Sequence, residues 1–107
     1  MMKGDIVLVP FPFTDLTGIK NRPALILLAT EIDITVAFIS TQLKGASTYD
    51  LLVQPSFENG LKKDSLVRVS KIATLDKEII LGKLGSLSIE NLEKIDNLLI
   101  EAFSIRI

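Results

Sequence analysis

Two strand-sized runs, Pro23–Ala29 (PALILLA) and Ile34–Ile39 (ITVAFI), are apolar almost throughout and are separated only by Thr30–Asp33. A strand with one wet face alternates apolar and polar residues. These two do not, so they predict strands buried on both faces or lining a small barrel. Further apolar runs follow one another after short polar breaks. Ile6–Val9 opens a strand, Leu51–Val53 forms a short one, Ser65–Leu75 carries Leu66, Val67, Val69 and Ile72, and Glu78–Leu84 is a last strand closed by Gly85. Pro10 and Pro12 sit at alternate positions, so both missing N–H groups address the same neighbouring strand. The first strand is therefore expected to leave the sheet after Val9, with Phe11 and Phe13 facing the core.

One helix is expected, over Ile89–Phe103. Ser88 is a plausible N-cap, and Glu90 in the first turn suits the helix dipole. At about 100° per residue, Ile89, Leu92, Ile95, Leu98, Leu99, Ala102 and Phe103 share half the circumference. Strands followed by a terminal helix predict a mainly β fold, a small barrel or strongly bent sheet covered on one side. The 107 residues predict a single domain spanning 1–107.

Composition excludes whole classes of chemistry. The chain has no cysteine and no histidine, which removes the thiol nucleophile, the imidazole base and the usual ligands of zinc or iron–sulfur sites. No cofactor and no metal are expected. No run reaches the roughly 18 apolar residues of a membrane span, and the start lacks an apolar signal region. A cytoplasmic domain with no membrane partner is the expectation. A net charge of −1 argues against a globally basic nucleic-acid binder and leaves only a local patch. Residues 41–75 carry five basic and three acidic side chains, whereas residues 89–103 carry one basic and four acidic. A polyanion would therefore meet the loop-bearing sheet surface and not the helix.

Four polar clusters could carry function. Lys20–Asn21–Arg22 precedes Pro23, whose ring holds the Arg22 backbone extended. Ser40, Thr41 and Gln42 close an apolar strand, with Lys44 just beyond. Lys62 and Lys63 form the third cluster, and Arg68 with Lys71 the fourth. Read singly, each is an ordinary solvated turn or charged face.

Together they resemble the PemK/MazF family of toxins from bacterial toxin–antitoxin pairs. The resemblance runs through Lys3–Val7, Phe11–Asp15, Asn21–Ile26, Ser40–Gln42 with Lys44–Gly45, Asp64–Ser65, Ile72, Thr74, Asp76–Lys77 and the terminal helix, in one order across essentially the whole chain. It implies an SH3-like β-barrel of the CcdB/PemK/MazF type with an appended helix, usually paired as a homodimer. It also implies metal-independent, sequence-specific cleavage of single-stranded RNA, often messenger RNA, and an acidic antitoxin protein that blocks the RNA groove. DNA contact is implied only through the antitoxin complex. The family's proton-transferring arginine maps onto Arg22 and its catalytic hydroxyl onto Ser40, where many members carry Thr. Lys20, Asn21, Thr41, Gln42, Lys44, Lys62, Lys63, Arg68 and Lys71 are the RNA-contact candidates. The loop Leu16–Lys20 departs from the Gly-Ser-Glu-Gln pattern of many MazF members, so their Glu and Gln have no counterpart here.

Metal-free RNA cleavage uses the RNA's own 2′-OH against the adjacent phosphorus, and the protein must stabilise the charge that develops. Arg22 supplies a bidentate fork and an acid, and Ser40 a neutral donor. The general base stays unassigned. Three other readings compete. One is an inactive relative that still binds RNA or antitoxin, another a CcdB-like gyrase poison, and the third an SH3-like peptide adaptor. The last would need an aromatic groove, which one Tyr and no Trp argue against.

Overall fold

The computed structural model describes residues 1–11 and 20–107. The chain forms β1 (Asp5–Phe11), β2 (Lys20–Ala29), β3 (Asp33–Ser40), β4 (Asp50–Val53), β5 (Ser65–Asp76), a 3-10 turn at Lys77–Ile79, β6 (Gly82–Ser86) and α1 (Ile89–Ala102). The strands make one curled antiparallel sheet in the order β4-β5-β3-β2-β1-β6. The two apolar runs are its central hairpin, closed by the Thr30 backbone N–H donating to the Asp33 carbonyl at 2.9 Å.

Strand alternation distributes the apolar residues to two opposite cores. Ile6, Leu25, Ala37, Ile39 and Val67 face one way and meet Ile95 of the helix, with Leu92, Leu98, Leu99 and Ala102 packed around it. Val7, Val9, Ala24, Ile26, Ile34 and Val36 face the other way and meet Phe38, Leu75, Ile79 and Ile80. A sheet wet on one side would have no use for the second set. This is why both runs read as nearly unbroken hydrocarbon.

The first strand does not leave the sheet at Val9. Its pairing with β6 ends at Leu8, but pairing with β2 continues through Val9↔Arg22, Pro10↔Asn21 and Phe11↔Lys20. The Leu8 carbonyl accepts from Leu81 N–H on the β6 side, and Pro10, two residues on, addresses that same side. Its missing donor therefore falls where the neighbouring strand has already stopped. Lys20–Arg22, a polar cluster in the sequence, are the first residues of β2 because β1 keeps pairing with them through Phe11. Pro12, Phe13 and the rest of that loop lie outside the described residues.

The last strand also differs from expectation. Asp76 caps a 3-10 turn by accepting from Glu78 N–H at 2.9 Å, so the strand begins at Gly82 and runs through Gly85. Gly85 sits inside β6 because a Cβ there would lie 2.3 Å from the Glu58 carbonyl oxygen.

Helix α1 starts where Ser88 Oγ accepts from Asn91 N–H at 3.1 Å. It ends in a Schellman motif: Ser104 takes φ 53°, and the Ile105 and Ser104 N–H groups return to the Ile100 and Glu101 carbonyls. Its middle turns pack on the sheet. Ile89 and Phe103, at the two ends, overhang it and are exposed, contrary to the periodicity.

A candidate nucleic-acid cleft

The β3–β5 ladder carries the feature that builds the site. Pairing steps from Ala37↔Ile72 directly to Phe38↔Arg68, so Val69, Ser70 and Lys71 have no partner on β3. Such a bulge bends a strand sharply and re-aims its side chains. Val69 turns inward and is 1% exposed, while its N–H donates to the Tyr49 carbonyl at 3.3 Å. Arg68 and Lys71 come to the opposite surface, beside the end of β3.

There they wall a cleft of about 220 Å³ with Phe11, Arg22, Phe38, Ile39, Ser40 and Gln42. The Phe11 and Phe38 rings lie 4.5 Å apart at 48°. The Arg22 guanidinium carbon stands 5.7 Å from the Phe11 ring centroid, within cation–π range. Arg22 Nε is buried without a hydrogen-bond partner, an arrangement that stabilises nothing in the protein alone. Extending the Ala24↔Phe38 register by two residues brings Arg22 level with Ser40. Ser40 Oγ accepts from Gln42 N–H at 3.0 Å, which orients the hydroxyl and leaves its proton to donate. Among the described residues, three cations line the cleft and no carboxylate does; Asp50 lies behind Arg68, its Oδ2 3.5 Å from Arg68 Nε.

Of the sequence candidates, Arg22, Ser40, Gln42, Arg68 and Lys71 meet in the cleft. Lys20, Asn21, Thr41, Lys44, Lys62 and Lys63 do not line it. They are exposed. Lys20 and Asn21 sit opposite Phe11 and Pro10 on β2. Thr41 and Lys44 follow β3, and Lys62 and Lys63 precede β5, so both pairs lie at the sheet end where Ser40 meets Leu66. Sequence reasoning missed Phe38 and Asp50. Asp50 is opposite Arg68, but only the strand register reveals that pairing. A larger cavity of about 480 Å³ lies by the start of α1, and its one charged lining residue is Glu58. That makes it a poor host for a polyanion. Among the described residues, no cluster of three acidic side chains could hold a metal ion.

Fold and cleft together define a small, curled β-sheet protein with a basic, aromatic-walled groove. The sequence model of the PemK-like, MazF-like toxins of type II toxin–antitoxin systems matches residues 2–103. The chain belongs to this family. It is similar in structure to an endoribonuclease solved with its cognate antitoxin from a mycobacterial species, at TM-score 0.76 and 19% identity over 100% of this chain and 98% of that one. The Mycobacterium tuberculosis toxin MazF-mt6 superposes at TM-score 0.72 and 21% identity, over 94% of this chain and 99% of that one. A further mycobacterial endoribonuclease gives TM-score 0.72 and 19% identity over 100% and 94% of the two chains. No curated protein sequence shows significant similarity. No helix among the described residues is long and apolar enough to cross a membrane.

Proposed function

We propose that this chain is a sequence-specific, metal-independent endoribonuclease toxin that cuts single-stranded RNA, messenger RNA included, and so arrests growth. One observation carries the reading: Arg22, with a buried and unpartnered Nε, stands beside Ser40 in a cleft of cationic side chains. A guanidinium left short of acceptors is prepared for an anion that arrives from outside. In the reaction the RNA's 2′-OH gives up its proton to water, its oxygen bonds to the adjacent phosphorus, and the bond from phosphorus to the 5′-oxygen breaks. Arg22 holds the phosphoryl oxygens bidentately as negative charge builds, and donates a proton toward the leaving oxygen. Ser40 gives a further hydrogen bond. Three cations and, among the described residues, no carboxylate line the cleft, a poor host for a divalent metal, so catalysis is assigned to protein groups alone.

The same cleft would attract an acidic antitoxin segment, and a paired chain would extend it into a longer groove. We therefore assign an antitoxin partner and a homodimer, acting in the cytoplasm, with DNA reached only through the antitoxin. The test is cleavage of single-stranded RNA in excess EDTA. The expected products carry a 2′,3′-cyclic phosphate and a 5′-OH, and one deoxynucleotide 5′ to the scissile phosphate blocks the cut. Activity lost on chelation and restored by magnesium, or cutting at the deoxy position, would overturn the mechanism. Intact RNA with purified wild type would leave a binding-only relative.

A further inference from the structure

Asp50 stands behind the basic cleft, paired with Arg68, and its surroundings are unusual. Its side chain is 1% exposed, yet Oδ1 has no hydrogen-bond partner. Oδ2 accepts from Ser47 N–H at 2.8 Å and faces Arg68 Nε at 3.5 Å. Arg68 Nε is itself buried and unpartnered, so charge holds the pair together without a well-formed hydrogen bond. Burying the Asp50 charge against a partly exposed guanidinium in this way is a poor source of stability. It does fix a direction. With Nε turned to Asp50, the planar fork keeps its outer Nη edge for the cleft that Arg68 lines.

We infer that Arg68 holds an RNA phosphate flanking the scissile one, and that Asp50 is the positioning residue that aims it. The inference rests on the RNA-cutting reading above. Arg22 and Arg68 enter from β2 and β5 with β3 between them, about 10 Å apart across the sheet and about 7 Å along it. Arg22 is level with Ser40, whereas Arg68 pairs with Phe38, two residues along the same strand. A single strand threading the cleft therefore meets the two forks one after the other. Phosphate held away from the reacting centre is remote binding energy, which raises turnover by aligning the 2′-OH.

The sign of one substitution separates positioning from bulk charge. Asp50→Asn removes a negative charge from a site for a polyanion, so simple electrostatics predicts tighter binding. Positioning predicts weaker binding, because the carboxamide keeps an oxygen for Ser47 N–H but releases the guanidinium. Binding is read by fluorescence anisotropy across a salt series, with an uncleavable single-stranded oligonucleotide carrying 2′-fluoro groups. Arg68→Ala should lower the slope of log affinity against log salt by about 0.7, the worth of one phosphate contact on a single strand. Asp50→Asn should lower it equally, and the double variant no further. One neutral methylphosphonate, scanned along the strand, should weaken wild type at a position where it leaves Arg68→Ala unaffected. Should Asp50→Asn fail to fold, that scan with Arg68→Gln decides. Tighter binding by Asp50→Asn, or an unchanged slope in Arg68→Ala, overturns the inference. Wild type that binds with the expected slope but never cuts would sink the nuclease reading and leave the pair standing; wild type that does not bind would sink both.

Discussion

Replacing Arg22 by Ala should separate activity from stability. In the folded chain the guanidinium lies over Phe11, a contact that contributes roughly 0.5–2 kcal/mol. Against it stands the buried Nε without a partner, which costs about 1–3 kcal/mol. Deleting the side chain removes both, so the net change in folding free energy should lie between about 1 kcal/mol of destabilisation and about 2.5 kcal/mol of stabilisation. For a chain of this size each kcal/mol is roughly 4 °C in Tm. Cleavage should fall far more. A positioned arginine at a phosphoryl centre contributes about 10³–10⁵ in rate, or roughly 4–7 kcal/mol of barrier. The assay pairs a urea titration with initial rates on one RNA. A midpoint close to or above wild type with unchanged m-value, together with lost cleavage, is the expected result. Arg22→Lys should recover little, since a point charge does not reproduce the planar fork. Destabilisation by more than about 3 kcal/mol alongside the lost activity, or cleavage within tenfold of wild type, would refute the reasoning.

Ser40→Ala should reduce turnover by roughly tenfold to a thousandfold, as for one neutral donor, while Ser40→Thr keeps the hydroxyl and most of the rate in the same assay. Asp5 governs the acid limb of stability. Burial pushes its carboxyl up, but the Met2 N–H, the Lys83 ammonium and the Ser86 hydroxyl outweigh this and hold it below the ordinary value. Its contribution is therefore complete above the unfolded value near ~3.9 and is lost as pH falls through the lower folded one. Asp5→Asn should narrow its stability gap to wild type over that window in urea titrations; a gap independent of pH would contradict this. Light scattering at high micromolar concentration should report a dimer, and a monomer there would count against the paired groove.

Much of the fold was legible because it rests on short-range rules. The unbroken hydrocarbon of Pro23–Ala29 and Ile34–Ile39 already demanded cover on both faces, and the two cores beside the central hairpin supply it. Ser88 was legible as a cap because an N-cap needs only the next three residues. Arg22 and Ser40 were legible by family resemblance, but the hairpin turn alone would set Arg22 level with Thr41, and only the bulge between Ile26 and Leu28 shifts the pairing by one to Ser40. The rest depended on contacts between distant parts of the chain. Pro10 ends pairing on one side only, which depends on where β6 stops. Gly85 lies inside a strand, where it reads as a terminator, because the Glu58 carbonyl needs the space of a Cβ. The three-residue bulge at Val69–Lys71 carries no local signature, since nothing in the sequence tells which β5 residue will face Phe38. That register alone puts Arg68 into the cleft and Asp50 behind it. Local propensity and hydrophobic pattern determined which segments became strands and helix. Strand pairing between residues far apart in the chain decided which charged side chains stand together, because that choice follows from closing the whole sheet.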